Sequence, residues 1–207
     1  MATVDTGSAA EYLPQSRSLS ALRDAASGCK ACPLWRTGTQ TVFGEGKKAS
    51  DVMLVGEQPG DQEDKAGRPF VGPAGMLLDE ALQEAGIDRS RAYVTNVVKH
   101  FKWQARGKRR IHAKPSWSET MACLPWFEAE LEAVRPQVLV CLGATAAQAL
   151  LGRQFRVTKE RGKPVESQLA PHVLATIHPS AVLRSDDRER EFQGLVADLK
   201  FVATFLH

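Results

Sequence analysis

The sequence predicts a single α/β domain built on a mostly parallel four-stranded sheet with helices on both faces. Four short apolar runs of strand length alternate along the chain with segments of helical periodicity, which is the order of β-α-β units. The 207 residues are 43% apolar and 25% charged, which suffices for one buried core and is ordinary for a globular protein.

The N-terminal residues are mostly small and polar, which is typical of a segment outside a folded core. We therefore expect a flexible tail over residues 1–18 and one folded domain over residues 19–207. The domain is expected to open with a helix that extends to about Ser27.

The first strand and the first long helix follow from an apolar run and a helical repeat. Residues 51–55 form a short, mostly apolar run that ends at Gly56, which predicts a buried strand leading into a loop. Pro73 suits the first turn of a helix, and Gly86 is a typical residue just after the last turn. Between them, the apolar residues recur at helical spacing: Ala74, Leu77, Leu78, Ala81, Leu82 and Ala85.

A second strand is predicted at Ala92–Val98, where it leads into a strongly basic loop. Ser116 and Glu119 have the spacing of a capping box, so we expect a helix that begins there and extends towards Val134. Pro125 lacks a backbone N–H, and its ring clashes with the preceding turn. The helix is therefore expected to bend or restart at that residue.

The last third of the chain continues the alternation of strands and helices. Strands are predicted at Val138–Leu142 and Val173–Ile177, with a helix at Gly143–Leu151 between them. A final helix carries five apolar residues on one face: Phe192, Leu195, Val196, Leu199 and Val202.

Three unusual segments leave the carboxyl ends of the predicted strands. They are Gly56–Gly72, Asn96–Pro115 and His178–Arg184. In parallel α/β sheets, ligands bind outside the carboxyl ends of the strands. We therefore expect the functional site at this edge of the sheet.

The small net charge hides a local extreme. The chain has 27 Lys and Arg against 24 Asp and Glu, a net charge of +3. Residues 99–114 contain seven basic side chains and no acidic one, which leaves 20 basic against 24 acidic residues, or −4, elsewhere. This asymmetry indicates a polyanion held at one place, although a solvated surface run is an equal alternative on charge alone. The seven are Lys99, Lys102, Arg106, Lys108, Arg109, Arg110 and Lys114.

No segment has the pattern of a membrane span or a secretion signal. The apolar runs are far shorter than the ~20 residues that a bilayer requires, and residues 1–28 contain acidic side chains and no continuous apolar stretch. We therefore expect a cytoplasmic monomer without a membrane partner. In that compartment cysteines stay reduced, so the four cysteines are not expected to form disulfides.

The four cysteines favour a metal site instead. Cys29 and Cys32 form a C-x-x-C pair that can supply two ligands to one metal, whereas Cys123 and Cys141 are distant in sequence. A zinc site more often shows a second tight pair, and an iron–sulfur cluster accepts a distant one, so spacing alone leaves the metal open. The alternative is that Cys123 and Cys141 are small buried core residues.

The loops after the first two strands contain polar and aromatic residues but no phosphate-binding motif. Glu57 and Gln58 lie in a glycine-flanked turn that lacks the Gly-Lys-Ser/Thr ending of a P-loop. Asn96 can donate and accept hydrogen bonds at the edge of a nucleobase, or it can simply form a turn. Phe70, in a turn rich in proline and glycine, can stack on a flat ligand or fill the core.

Four ordered motifs in these loops resemble those of the uracil-DNA glycosylase superfamily. They are Gly56–Gly60 (GEQPG), Pro69–Gly75 (PFVGPAG), Thr95–Lys99 (TNVVK) and His178–Arg184 (HPSAVLR). Together with the cysteines they look like family 4 of that superfamily, which carries a 4Fe–4S cluster. The resemblance spans about residues 29–184, and it implies that the cluster ligands are Cys29, Cys32, Cys123 and Cys141.

Two departures from family 4 are similar to the UdgX-type branch of the superfamily. Gln58 stands where family 4 usually has a small residue, and residues 108–112 (KRRIH) are an extra basic insertion. Members of that branch become covalently attached to DNA through the histidine of this loop. The resemblance therefore implies single-turnover cleavage of the N-glycosidic bond of uracil in DNA, followed by a bond between His112 and C1′ of the sugar.

The resemblance also implies a role for each site residue. His112 becomes the nucleophile, Glu57 the group that orients or deprotonates it, and His178 the donor to uracil O2. Uracil contacts are assigned to Gln58, Phe70 and Asn96, with Gln58 holding either the base or the loop by hydrogen bonds. Contacts to DNA, preferentially single-stranded, are assigned to Lys108, Arg109, Arg110, Ser180 and Arg184.

Two other functions remain open at this point. A conventional family 4 glycosylase releases uracil over many turnovers, with the basic loop only gripping DNA. A non-catalytic, metal-containing nucleic-acid-binding protein needs only the cysteines and the basic loop, but it leaves Glu57, Asn96 and His178 unexplained. Trp103 in the basic loop can stack on a neighbouring base or fold back as an anchor.

Overall fold

Strands and helices alternate along residues 7–206, the part of the chain that the computed structural model describes. In chain order the strands are β1 (Val52–Gly56), β2 (Ala92–Asn96), β3 (Trp103–Arg106), β4 (Arg109–His112), β5 (Val138–Leu142) and β6 (His172–Thr176). The α-helices are α1 (Leu19–Ala26), α2 (Asp61–Ala66), α3 (Pro73–Glu84), α4 (Trp117–Val134), α5 (Ala144–Leu151), α6 (Val157–Glu160), α7 (Pro179–Leu183) and α8 (Arg188–Ala203). None of these helices combines the length and the apolar character that crossing a bilayer requires.

Four of the strands form the parallel sheet that the sequence predicts. Their order is β2-β1-β5-β6, and each neighbouring pair is parallel. Nearly every residue of these strands is buried, because helices cover both faces of the sheet. One face packs on α1, α4 and α5, and the other packs on α3, α7 and α8. The predicted α/β domain with helices on both faces is confirmed.

Successive side chains of the central strands point to opposite faces of the sheet. In β5, Leu139 and Cys141 belong to the apolar cluster beneath α4, whereas Val138, Val140 and Leu142 belong to the cluster beneath α3 and α8. Cys141 is hydrogen-bonded in register with β1 on one side and β6 on the other. Its place is therefore the middle of the core.

The helix that the capping box predicts runs without the expected break. Ser116 Oγ accepts from the amide of Glu119, and Glu119 Oε2 accepts from the amide of Ser116 at 2.6 Å. The expected restart at Pro125 is wrong, because α4 continues through that residue to Val134, and the alternative of a bend stays a prediction. A proline inside a helix costs about 3 kcal/mol. Burial of the neighbouring Trp126 and Phe127, both fully buried, offsets that cost.

Segments predicted as loops contain regular structure. The basic loop is an antiparallel hairpin of β3 and β4, in which Trp103 pairs with His112 and Arg106 with Arg109. Gly107 supplies the left-handed backbone conformation at the turn, with φ of 60°. The loop after β1 contains the short helix α2. Both additions matter for the site, since α2 and the hairpin contact each other there.

Part of the segment predicted as a flexible tail, residues 1–18, has regular structure. A 3-10 turn spans Ala9–Tyr12, begins with a hydrogen bond from the amide of Ala10 to Ser8 Oγ, and buries Ala9 completely. This segment packs against α4 because Ala9 is small enough to enter the apolar cluster there. The prediction for residues 1–6 lies outside the described residues.

Candidate active site

Side chains from four loops meet at the carboxyl edge of the parallel sheet, as the sequence predicts. Glu57 follows β1, Asn96 ends β2, Thr145 follows β5, and His178 lies two residues beyond β6. His112, the last residue of β4, reaches the same place from the hairpin. Parallel strands bring these residues together because their carboxyl ends share one edge.

A carboxylate and an imidazole face each other on the rim of this site. His112 Nε2 lies 3.0 Å from Glu57 Oε1, within hydrogen-bond distance. The His112 side chain is 51% exposed, whereas that of Glu57 is 20% exposed. The imidazole is therefore oriented by the carboxylate and still accessible to a ligand.

The second carboxylate oxygen of Glu57 accepts a hydrogen bond from Thr145, a residue that the sequence analysis did not identify. Thr145 Oγ1 donates to Glu57 Oε2 from the first turn of α5. Burial raises the pKa of Glu57, but hydrogen bonds from His112 and Thr145, with the charges of His112 and His178, hold it below its ordinary value. Glu57 is thus an ionised carboxylate at neutral pH and can take a proton or orient one.

Gln58 holds the hairpin by hydrogen bonds. Its Nε2 donates to the carbonyl oxygens of Lys102 and Ala113, at 3.1 Å each, and its Oε1 accepts from the amide of Lys102. These bonds use both amide hydrogens and join the two ends of the hairpin. They correspond to the loop-holding role predicted for Gln58, and its contact with a base stays a prediction.

Gly56 lies at the centre of a small polar and aromatic cradle. A Cβ at Gly56 would lie 2.4 Å from Asn96 Oδ1, 3.0 Å from Phe70 Cζ and 3.3 Å from His178 Nε2. An amide, an aromatic edge and an imidazole nitrogen thus converge on a point that only glycine leaves open. These are three of the residues that the sequence predicts at the site.

Phe70 is held in an uncommon backbone conformation. Its φ is 56°, in the left-handed region, and its ring lies 6.1 Å from that of His178 in a stacked arrangement. The buried carboxylate of Glu63 accepts from the amide of Gly72 at 2.9 Å. A Cβ at Gly75 would overlap the carbonyl oxygen of Phe70 at 1.7 Å, so the start of α3 approaches this turn closely. The ring is therefore fixed in place, where a flat ligand can meet it.

His178 is a neutral imidazole whose donor faces the cradle. The amide of Ser180 donates to His178 Nδ1 at 3.1 Å, so Nδ1 is an acceptor and the proton is on Nε2. Ser180 Oγ lies 2.8 Å from the same nitrogen, which gives Ser180 an orienting role beside its predicted contact with DNA. Burial is the main reason why the pKa of His178 is lowered to about 4. The charges of Arg184 and His112 lower it further, whereas the negative charge of Glu57 raises it. Arg184 is exposed nearby.

The backbone of Asn96 is hydrogen-bonded to a buried network of charged side chains. Lys99 Nζ donates to the carbonyl oxygen of Asn96 at 2.8 Å, to Thr95 Oγ1 at 2.7 Å and to Glu130 Oε2 at 2.5 Å. Glu130 also accepts from Tyr93 Oη. Both charged groups are almost fully buried and pair with each other. The network fixes the backbone of Asn96, since breaking it would leave a buried charge unpaired.

Three of the seven basic residues of the hairpin region are not free for a polyanion. Lys99 pairs with Glu130, and Lys102 pairs with Glu119. Arg110 is only 18% exposed and is bound to the carboxylates of α2, Asp61 and Asp64. These ion pairs give Arg110 an anchoring role between the hairpin and α2, and its contact with phosphate stays a prediction. The four exposed cations are Arg106, Lys108, Arg109 and Lys114.

Arg110→Gln should lower the free energy of unfolding by about 3 kcal/mol, because it leaves the buried carboxylate of Asp64 without its cation. Arg109→Gln, on the exposed neighbour, should leave stability unchanged and reduce the salt dependence of DNA binding by about one charge. Urea denaturation and binding at several salt concentrations measure the two effects. Equal losses of stability in both variants would contradict the assignment of Arg110 as the anchor.

Three of the four cysteines, Cys29, Cys32 and Cys123 (the cysteine cluster), influence one another's pKa values. Burial is the larger cause, and it raises the pKa of Cys123 to about 12 and that of Cys32 to about 11. The backbone amide of Lys99 donates to Cys123 Sγ at 3.2 Å. Burial alone raises the pKa of Cys141, to about 12.

The four-thiolate ligand set implied by the resemblance stays a prediction. Cys141 lies inside β5 among apolar core residues, the alternative that its sequence context also allowed. Within residues 7–206, no group of three or more His, Cys, Asp or Glu side chains stands ready to ligate a metal.

His100 is a buried residue next to Lys99 in the chain, and the sequence analysis did not identify it. It directly follows Lys99, whose amide binds Cys123, and its Nε2 lies 3.0 Å from Thr41 Oγ1. Burial lowers the pKa of His100 to about 4, although the negative charge of Asp64 acts in the opposite direction and raises it. The imidazole is therefore neutral at pH 7, the form that binds metals. Its position one residue after the TNVVK motif was the signal that could have identified it.

The arrangement suits a flat, polar heterocycle on an anionic chain. The cradle offers an aromatic ring, an amide and a neutral N–H donor, and the rim offers a carboxylate–imidazole pair. The exposed cations of the hairpin region lie on both sides of His112 along the chain, with Arg109 three residues before it and Lys114 two residues after it. Such a site can bind a planar base, stabilise negative charge on it, and place a nucleophile or a base beside the attached sugar.

Comparison with known proteins gives one consistent family. The uracil DNA glycosylase superfamily matches residues 43–200. A type-4 uracil-DNA glycosylase of Thermotoga maritima is 43% identical over 171 residues, 82% of this chain and 84% of that protein. A type-4 uracil-DNA glycosylase of Pyrobaculum aerophilum is 37% identical over 182 residues, 84% and 89% of the two chains. A type-5 enzyme of the same organism is 32% identical and covers 62% of this chain and 61% of its own.

Proposed function

The chain belongs to the uracil-DNA glycosylase superfamily, and from this premise we propose that it cleaves the N-glycosidic bond of uracil in DNA. The observation that carries the proposal is the cradle around Gly56, where Asn96, Phe70 and His178 converge. Relatives named type-4 uracil-DNA glycosylases support the same activity.

Each group of the cradle has a task in this reaction. The uracil must leave the base stack to enter it, since the bond is inaccessible in a duplex. Phe70 stacks on the base, and the Asn96 amide pairs with its polar edge. As the C1′–N1 bond breaks, both bonding electrons leave with uracil, and His178 Nε2–H donates to the negative charge that develops on O2. A neutral donor suits this task because it holds the anion without giving it a proton.

Water is one candidate for the group that attacks C1′. In that case Glu57 takes a proton from the water, an abasic sugar forms and the enzyme turns over. The type-4 names of the relatives favour this course.

A second candidate is His112, favoured by its position 3.0 Å from Glu57. If Nε2 passes its proton to Glu57, the freed electron pair can form a bond to C1′, and the protein remains attached to the DNA. Gln58, which joins the two ends of the hairpin, holds His112 where this is possible.

One assay tests the activity and separates the two courses. Wild-type protein is incubated with a single-stranded oligonucleotide containing one uracil; free uracil is measured, and denaturing electrophoresis in detergent detects a protein–DNA adduct. Uracil release supports the proposed cleavage. An adduct that disappears in His112→Ala supports attack by His112, whereas many turnovers without an adduct support water. Absence of uracil release in every form would contradict the proposed function.

We further propose that the cysteine cluster, with His100 as fourth ligand, holds the iron–sulfur cluster that the family 4 resemblance implies. The cluster's chemistry is that of a structural or redox centre, and no step at the cradle depends on it. The fit rests on three buried thiols that influence one another's pKa values and on the neutral imidazole of His100, which directly follows the Lys99 amide that donates to Cys123 Sγ. Coordination removes the thiol protons that burial otherwise retains.

Cys123→Ala should lose the metal, whereas Cys141→Ala should keep it, because burial is the only cause that raises the pKa of Cys141, while Cys29 and Cys32 also influence the pKa of Cys123. Iron analysis should give about four atoms per chain in the wild type, with visible absorbance. His100→Ala should lose iron, and His100→Cys should retain it, since a thiolate can replace the imidazole. Loss of iron in Cys141→Ala to the level of Cys123→Ala would restore the four-cysteine set and overturn the assignment.

A further inference from the structure

Two large apolar side chains are exposed on the first two turns of α4. Trp117 and Met121 are each 39% exposed and lie four residues apart, on one face of the helix. The guanidinium carbon of Arg153 lies 4.8 Å from the centre of the Trp117 ring. Arg153 is itself exposed. This surface, Trp117 with Met121 and Arg153, combines an aromatic face with a positive charge.

The surface of Trp117, Met121 and Arg153 is connected to the candidate active site through the hairpin and through α5. Trp117 lies four residues beyond Ala113, where Gln58 holds the end of the hairpin, and the ion pair of Lys102 with Glu119 ties the start of α4 to the hairpin. Arg153 lies two residues beyond α5, whose first turn holds Glu57 through Thr145. Since α5 has eight residues, about 12 Å separates its two ends. Nucleotides next to one bound in the cradle can therefore reach it.

The hairpin tryptophan already has partners for its N–H and for one face of its ring. Trp103 Nε1 donates to the carbonyl oxygen of Thr37 at 2.9 Å, and Arg110 lies over its ring at 5.6 Å while bound to Asp61 and Asp64. Of the two tryptophans near the hairpin, Trp117 is the more exposed.

We propose that Trp117 stacks on an unpaired base of the DNA strand that flanks the uracil, with Arg153 and the exposed Lys114 beside its phosphates. This inference rests on the proposed function. A paired base in a duplex is covered by its neighbours, so the ring can stack only on a base that is free on one face. Stacking of this kind tolerates any sequence, and nearby cations supply the charge that the phosphates require.

The test measures binding without cleavage. A fluorescent thymidine oligonucleotide of about 12 nucleotides, without uracil, is titrated with each protein at fixed salt. Trp117→Ala should bind about tenfold more weakly than wild type, Trp117→Phe should retain most of the affinity, and Arg153→Gln should lose part of it. Phe201→Ala is the matched control, because Phe201 is 37% exposed on α8 and has no place in the proposed surface. It should bind as the wild type does.

The outcomes separate this inference from the function on which it rests. If Trp117→Ala and Arg153→Gln bind like the wild type, or if Phe201→Ala loses as much affinity, the stacking surface is wrong. A loss on a duplex of the same sequence as large as on the single strand contradicts the unpaired base. If the wild type releases no uracil, the proposed function fails, while these binding measurements still decide the role of Trp117. With uracil substrates, Trp117→Ala should raise KM and leave kcat nearly unchanged.

Discussion

Gly56→Ala should reduce uracil release about 100-fold, because the added Cβ occupies the point on which Asn96, Phe70 and His178 converge. At 2.4 Å from Asn96 Oδ1 the methyl group forces the amide to move, and a displacement near 1 Å at a reacting centre costs about that factor. Overpacking at one buried position costs about 1–3 kcal/mol, so the protein still folds. Single-turnover uracil release and urea denaturation measure the two effects.

Gly28→Ala is the control for this substitution. A Cβ there meets only the carbonyl oxygen of Ala25, at 3.9 Å, an ordinary contact. It should therefore release uracil at the wild-type rate. If Gly56→Ala retained that rate with normal stability, the cradle around Gly56 would not be the binding site for the base.

The fold and the location of the site could be predicted because both depend on local patterns. Residues 51–55 and Val138–Leu142 are apolar runs of strand length, and the helix from Pro73 has an apolar repeat with clear ends. Alternation of such segments determines a parallel sheet, and the parallel sheet determines which loops meet. Glu57 and His178 could therefore be placed together, although 121 positions separate them.

The partners of single side chains could not be predicted in the same way. Arg110 and Arg109 are identical neighbours in sequence, yet one is bound to α2 and the other is exposed. The difference arises because residues alternate sides along β4, and a short helix absent from the predictions contributes Asp61 and Asp64. A count of charges along the chain therefore does not predict which arginine is ion-paired and which is exposed to solvent.

The cysteines show the same limit for a ligand set. The resemblance to family 4 implied that Cys123 and Cys141 complete a ligand set with the C-x-x-C pair. In the fold, β5 is buried between two other strands, and Cys141 contributes to its apolar packing. His100 lies within the basic run but was assigned no role there, although burial lowers its pKa and keeps it in the neutral form of a ligand. A ligand set depends on which elements pack together, which the spacing of cysteines alone does not determine.

His178→Ala should reduce uracil release by about 100- to 1,000-fold, the usual cost of removing one donor to a developing anion. Burial lowers the pKa of His178 from 6.5 to about 4, so the donor is neutral from about pH 5 upwards. Its protonation should therefore not limit uracil release between pH 5 and 8. Single-turnover rates across this range measure the effect, and the loss in His178→Ala should be the same at each pH. His172→Ala is the control, because His172 stacks on Phe205 at the opposite end of β6.

The same shift predicts a change in acid stability. Since the folded protein disfavours protonated His178, the neutral side chain contributes stability that is fully present above pH 6.5 and is lost as the pH falls towards 4. His178→Ala should therefore lose less stability than the wild type over that interval, and His100, whose pKa is also about 4, should account for part of the fall that remains. Urea midpoints at several pH values measure this difference. Parallel curves for the two proteins would mean that His178 is not held neutral by burial, and the argument for its role as a neutral donor would lose its basis.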